Sequence, residues 1–423
     1  MRAPFFQRNS LVCWLLFLTL ALSAHAAPKA IMAYYMPWYV AKPHSAAWGW
    51  HWTMDHFDPD RITASGEREI ASWYYPSIGP YDSADPAVLE YHVLLMKLAG
   101  IDGVIVDWYG PDDFLDYGIN NQRTAALFEV TRRAGLKFCI CFEDQTVQQK
   151  IKGGFIKAED AIPHTQSMMR YLETNYFGDE TYLRWNGRPV LLNFGPQYFH
   201  ADAEWVQILS VFKTEPALFT EDNRLPVGVG AFNWPPMWLS RAPGTRGVLS
   251  ESALEGYLTG FQQNGRSWPA YISSAFPRFH DVYRKAGMRD YWGYLGDRGG
   301  ETFRDTLTRA LTNDSFIAQI VTWNDYGEGT IVEPTLEYGY RDLEIVQELR
   351  RKHLQPAFSH ESRHLRLARR LYDLRRVGKA ARGELDLIFN AIIAGDLSKA
   401  ESRLSALERL QPASEEPQAK ASK

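Results

Sequence analysis

The feature that most constrains this chain is an alternation: short runs that are apolar almost throughout, each followed by a stretch with helical spacing. The runs are residues 30–39 (AIMAYYMPWY), 101–107 (IDGVIVD), 136–144 (LKFCICFED), 188–195 (RPVLLNFG), 225–233 (LPVGVGAFN), 270–279 (AYISSAFPRF) and 316–325 (FIAQIVTWND). A strand that is apolar on both faces needs cover on both faces, as in a parallel sheet wrapped by helices. Seven such units over about 300 residues predict an α/β fold, a closed (β/α)8 TIM-type barrel whose eighth strand the sequence does not display. An open doubly wound sheet is the weaker alternative, because Gly228-Val229-Gly230 lacks the third glycine of a dinucleotide-binding turn.

Local signals place several boundaries. Asp85-Pro86 opens a helix as N-cap and first-turn proline, and Gly100 closes it. A second helix, over residues 121–134, stops at Gly135. The barrel is expected over residues 27–355. Residues 356–411 are rich in Leu, Ala, Arg and Glu at helical spacing, with a break at Gly395-Asp396, and read as a helical hairpin packed on the barrel. The polar residues 412–423 read as a disordered tail.

Residues 1–26 read as a secretory signal peptide. Arg2 and Arg8 precede an apolar core, and Ala24-His25-Ala26 supplies small residues before a cut after Ala26. That core is too short to span a bilayer, which takes about 20 residues, and no later stretch is long enough. The expected location is therefore secreted or periplasmic, with no integral membrane segment in the mature chain. Cys13 leaves with the leader. Cys139 and Cys141 lie two apart on one predicted strand, unsuited to bridging, and read as core thiols. A net charge of −4 argues against nucleic acid as a partner.

Chemistry concentrates where the last run ends, in the segment TWNDYGEGTIVEP from Thr322 to Pro334. The carboxyl ends of barrel strands are where this architecture carries its catalytic groups. Residues three apart on a straight strand face opposite sides, whereas a turn through Gly327 and Gly329 lets Asp325 and Glu328 face one cleft. Cleaving a glycosidic bond needs such a pair: one carboxyl protonates the leaving oxygen and the other acts as nucleophile or base. Asp325 and Glu328 are therefore the predicted catalytic residues, with Glu333 a supporting or sugar-binding acid and Asn324 a hydrogen-bonding neighbour.

Asp107 and Glu143-Asp144 close two other strands and are further candidates, against the ordinary alternative that such acids cap a helix. Asp281 is a weaker one. The aromatic clusters Tyr34-Tyr35, Trp38-Tyr39, Trp48, Trp50, Trp52 and Trp73-Tyr74-Tyr75 suit sugar rings, whose apolar faces stack on aromatic ones. One of Tyr34 and Tyr35 should belong to the core. The predicted substrate-binding set is Tyr35, Trp38, Trp50, Trp52, Asp107, Trp108, Glu143, Trp323, Asn324, Tyr326 and Glu333. His44, His51, Asp55 and His56 match no zinc or calcium spacing, so neither metal nor cofactor is expected.

At these residues the chain resembles the glycoside hydrolase family 71 and family 99 group, α-1,3-glucanases and endo-α-mannosidases built on (β/α) barrels. The resemblance spans about residues 30–344 and is carried by AYYMPWY, by YYPSIGPYDSAD from Tyr74, by AGIDGVIVDWYG from Ala99 and by TWNDYGEGTIVEP. It implies a catalytic pair at Asp325 and Glu328, and a sugar contact at Glu143. Family 99 has Glu at the first of the two positions, so Asp325 is shorter by one methylene. Family 99 chemistry implies that the first carboxylate takes a proton from the sugar 2-hydroxyl while the second acts as acid. Family 71 chemistry implies inversion. The combined expectation is a secreted hydrolase of α-linked mannan- or glucan-type oligo- or polysaccharides, with a catalytically silent carbohydrate-binding barrel as the alternative.

Overall fold

The computed structural model describes residues 29–288, 292–378 and 380–410. Eight parallel strands run along Ile31–Tyr35 (β1), Gly103–Trp108 (β2), Lys137–Phe142 (β3), Arg188–Asn193 (β4), Ala217–Glu221 (β5), Gly230–Phe232 (β6), Ile272–Ala275 (β7) and Ile317–Ile320 (β8). They close into a ring. β1 lies between β8, with Ile31 opposite Ala318, and β2, with Met32 opposite Gly103. The far side closes where Ile140 of β3 faces Leu191 of β4. The runs are apolar throughout because their inner side chains fill the barrel and their outer ones meet helices. Close strand approach demands glycine at two points: a Cβ on Gly103 would lie 2.2 Å from the Lys137 carbonyl oxygen, and one on Gly230 would lie 1.9 Å from that of Ala270.

The expected (β/α)8 barrel is thus present, with two corrections to its strands. The strand that the sequence does not display is β5, a five-residue run (ALFTE) set between Pro216 and the turn at Asp222. The run at residues 225–233 begins as a turn, with Gly228 N donating to Leu225 O at 2.9 Å, and only its end forms β6.

The helix Pro86–Ala99 starts where expected. The Asp85 side chain accepts from Ala87 N at 2.9 Å, and Gly100 ends the helix at φ +84°. After the helix Arg341–His353 the chain forms three helices, Ser362–Val377, Arg382–Ile393 and Leu397–Leu410, where a hairpin was expected. The additional break falls at Gly378, which caps the first of them in the left-handed region. This unit packs on Pro86–Ala99: Arg375 pairs with Glu90 at 2.8 Å, Arg376 with Asp85 at 2.9 Å, and the Tyr372 and Tyr91 rings lie 5.4 Å apart. Cys139 and Cys141 are buried on β3 and unbridged. Among the described residues no helix is long and apolar enough to cross a membrane. The expected leader and C-terminal tail lie outside the described residues.

Candidate active site

After β8 the chain folds into a tight turn that sets the geometry of the two predicted catalytic acids. Thr322 Oγ1 accepts from Asp325 N at 2.8 Å, and the Asp325 carbonyl accepts from Gly329 N at 2.9 Å. The Asp325 carboxylate itself accepts from Glu328 N at 3.0 Å, so the first acid orients the residue that carries the second. Gly329, at φ +69°, lies so close to its neighbours that a Cβ would fall 2.8 Å from the His280 carbonyl oxygen. Asp325 is buried and Glu328 half-buried.

The turn rests on a buried polar network. Tyr39 OH donates to the Asn324 carbonyl at 2.9 Å and receives Tyr326 N at 3.0 Å. The Asn324 side chain accepts from Met36 N at 2.8 Å, and donates to Met36 O at 3.0 Å and to Tyr81 OH at 3.1 Å. Tyr81 OH in turn donates to Glu333 at 2.8 Å. The other Glu333 oxygen lies 3.0 Å from His92 Nε2, and His92 Nδ1 lies 3.0 Å from Tyr35 OH. Strand, turn and the helix Pro86–Ala99 are thereby joined through side chains that water does not reach.

Inside the mouth, Tyr34 OH donates to Asp107 at 2.8 Å. Asp107, next to last on β2, lies opposite Cys141 of β3, and Glu143 follows β3 directly. Glu221 and Asp222 close β5, and the Tyr257 hydroxyl donates to Asp222. Aromatic rings border these acids. Trp38 is half-buried and stacked flat on His51 (4.2 Å, 3°), with Tyr109 beyond it at 6.4 Å. Trp234 lies edge-on to both Tyr34 and Phe194 at 4.9 Å. Trp50 is 40% exposed and donates from Nε1 to Asp55 at 3.1 Å.

Comparison with known proteins identifies the family. Residues 27–215 match the model of glycosyl hydrolase family 99. A mouse glycoprotein endo-alpha-1,2-mannosidase-like protein is 36% identical over 337 residues, covering 71% of this chain and 68% of that protein. The chain belongs to glycosyl hydrolase family 99. A human protein of the same description is 22% identical over 340 residues, covering 72% of this chain and 68% of that protein. The fold is shared with the family 99 endo-alpha-mannosidase of Bacteroides thetaiotaomicron, at a TM-score of 0.55 and 19% identity, with 81% of this chain and 99% of that chain covered. As a family 99 member the protein is a glycoside hydrolase.

Electrostatics in the mouth of this family 99 barrel favour proton storage. Burial pushes the Asp107 carboxyl up to about 7, opposed by the Tyr34 and Tyr109 hydroxyls and reinforced by the charge of Asp325. Burial, then the charge of Asp107, holds Glu143 well above the usual carboxylate range. Glu221 is raised to about 8 by burial and by Asp222 and Asp144, and Asp222 to about 6 by burial. Buried carboxyls grouped in this way cannot all ionise at neutral pH.

Several predicted sugar contacts sit below the surface instead. Tyr35 is fully buried and engaged with His92, and its neighbour Tyr34, buried to the same degree, donates to Asp107 instead. Trp52 is fully buried, donating to Tyr81 O at 2.8 Å and packed on Tyr39 and Tyr326. Trp108 turns away from the mouth, donating to Asn121 at 2.9 Å and stacking on Tyr171. Trp323, Asn324, Tyr326 and Glu333 form the floor beneath the turn and are shielded from any ligand in the mouth. Asp144 is also structural, accepting from Gln197, Tyr198 and Phe199 N–H groups at 2.8–3.0 Å. Asp281 accepts from Trp292 N at 2.9 Å. Residues near these acids that sequence did not single out are Tyr109, Trp234, Glu221 and Asp222; the last two would have followed from recognising β5. Among the described residues no group of three or more His, Cys, Asp or Glu is disposed to hold a metal ion.

Proposed function

We propose that this protein cleaves α-linked, mannose-containing glycans within the chain, with Glu328 as general acid and Asp325 as base. The observation that carries the proposal is the turn after β8, where the Asp325 carboxylate accepts from Glu328 N at 3.0 Å and its charge reaches the Asp107 carboxyl. A proton donor at the leaving oxygen, and a base for water or for the sugar 2-hydroxyl, are the two functions the reaction demands. The substrate class is supported by the relatives, an endo-alpha-1,2-mannosidase-like protein in mouse and an endo-alpha-mannosidase in Bacteroides thetaiotaomicron. Export to the periplasm or the medium is part of the proposal and rests on the leader pattern of Arg2, Arg8 and Ala24-His25-Ala26.

Incubation with α-1,2-linked mannan, with α-1,3-glucan as the comparison, tests the reading. Release of oligosaccharides from the mannan, abolished in Glu328→Gln, is the expected result, and NMR of the fresh product gives its anomeric configuration. Wild-type protein that releases no reducing ends from either polymer would sink the proposal. A second reading, a sugar-binding barrel without catalysis, draws on the short Asp325 side chain. Binding on a glycan array without release would establish it.

A further inference from the structure

Beside the Glu328 turn lies a cavity of about 350 Å³ lined by Trp73, His280, Asp281, Arg284 and Lys285. Its wall is bonded to the turn: His280 N donates to Glu328 O at 2.8 Å and Val282 N to Gly327 O at 3.0 Å. A neutral sugar is ordinarily gripped by an open aromatic face. Trp73 is 42% exposed, yet its ring is already engaged. His280 stacks flat on it (4.6 Å, 4°), and the Lys285 ammonium lies 4.9 Å from its centroid. The same ammonium lies 5.3 Å from the Phe57 ring, so two aromatic rings hold the cation at the cavity. Arg284 and Lys285 are both exposed, and the Lys285 charge also acts on the Glu69 carboxylate. The one acid of the lining, Asp281, is 1% exposed and accepts the Trp292 N–H at 2.9 Å. Two exposed cations therefore border a cavity at the edge of a mouth otherwise rich in carboxyls.

We propose that this cavity receives an anionic substituent (phosphate, sulfate or carboxylate) on the sugar residue that Glu328 releases, so that the substrates are acidic α-linked glycans. The placement rests on the reading of Glu328 as general acid. Discrimination follows from charge: the cations attract a charged substituent, and a neutral hydroxyl there gains no such attraction.

Ligand-observed NMR titrations with mannose, mannose 6-phosphate and glucuronic acid test the cavity without requiring turnover. Wild-type protein should bind at least one anionic sugar about tenfold more tightly than mannose, with the preference shrinking as salt rises. The Arg284→Gln/Lys285→Gln variant, shown to be folded by an unchanged melting temperature, should lose that preference. Preference for the phosphate alone, or for both anions, separates a phosphate-type ligand from any anion. Equal affinity for charged and neutral sugars, or a preference that survives the double substitution, overturns the proposal. Hydrolysis of a phosphorylated α-linked mannan, compared between the wild type and Glu328→Gln, reports separately on the catalytic reading: activity without anion preference rejects only the cavity, and anion preference without activity rejects only the assignment of Glu328.

Discussion

Replacing Glu333 tests how firmly the catalytic turn is held from below. Its carboxylate and the His92 ring are both fully buried, 3.0 Å apart, and its second oxygen receives Tyr81 OH at 2.8 Å. Glu333→Ala strands two buried polar groups at about 1–3 kcal/mol each. Breaking a buried pair by removing one partner costs about 3–5 kcal/mol in other proteins, so the same range is expected here. Glu333→Gln should be much milder, about 1–2 kcal/mol, because an amide has the same shape. Its oxygen can accept from Tyr81, and its NH2 can donate to His92 Nε2 once the ring's proton sits on Nδ1, facing the Tyr35 oxygen. Since Tyr81 also receives the Asn324 side chain at 3.1 Å, one residue before Asp325, slack here reaches the catalytic pair. Urea unfolding of the three proteins gives the stability difference, and mannan hydrolysis gives kcat and KM. Glu333→Gln should lower kcat with KM nearly unchanged, because Glu333 is shielded from the mouth. The reasoning fails if Glu333→Ala unfolds within about 1 kcal/mol of wild type, or if the glutamine variant is as damaging as the alanine one.

Three further outcomes are expected. Glu328→Gln should fold normally and lose on the order of 10²–10⁴ in kcat on mannan; Asp325→Asn should do likewise, and a wild-type rate in either would reassign the pair. Asp107 titrates near 7 in the fold, so between about pH 4 and that value the folded protein binds the extra proton. Stability should therefore fall as pH rises through this window, by at most about 1.4 kcal/mol per pH unit from this group. Asp107→Asn should remove much of that slope in pH-dependent urea unfolding, while the neighbouring Glu143 still contributes its own. Gly230→Ala forces a Cβ to within 1.9 Å of the Ala270 carbonyl oxygen, so β6 and β7 must part. The expected cost is about 1–3 kcal/mol or more, read as a fall in melting temperature.

The barrel was legible because few architectures besides a helix-covered parallel sheet can bury strands that are apolar on both faces. The Asp85-Pro86 and Gly100 boundaries were legible because capping chemistry is local. β5 was not, since a run as short as ALFTE between a proline and a polar turn offers too little periodicity to stand out. Residues 225–229 imitate a strand in composition while their hydrogen bonds form a turn. Sequence marked Asp325 and Glu328 through their glycines. Nothing in sequence tells which of Tyr34 and Tyr35 meets Asp107 and which meets His92. Trp52 and Tyr326 show the same limit: aromatics suited to stacking on sugar are equally suited to stacking on one another.

The helix Pro86–Ala99 links two parts of the molecule, the turn after β8 and the C-terminal helices. From it His92 reaches the Glu333 network, while its Asp85, Glu90 and Tyr91 are gripped by the helix Ser362–Val377. The C-terminal helices thus act as a splint on a barrel helix that braces the turn after β8. Trimming them to shorten the protein, or fusing a partner through them, would change the stiffness of the catalytic centre without altering any residue that meets a glycan. For the same reason, differences in turnover between natural variants of this enzyme should be sought in the packing of these helices as well as in the mouth of the barrel.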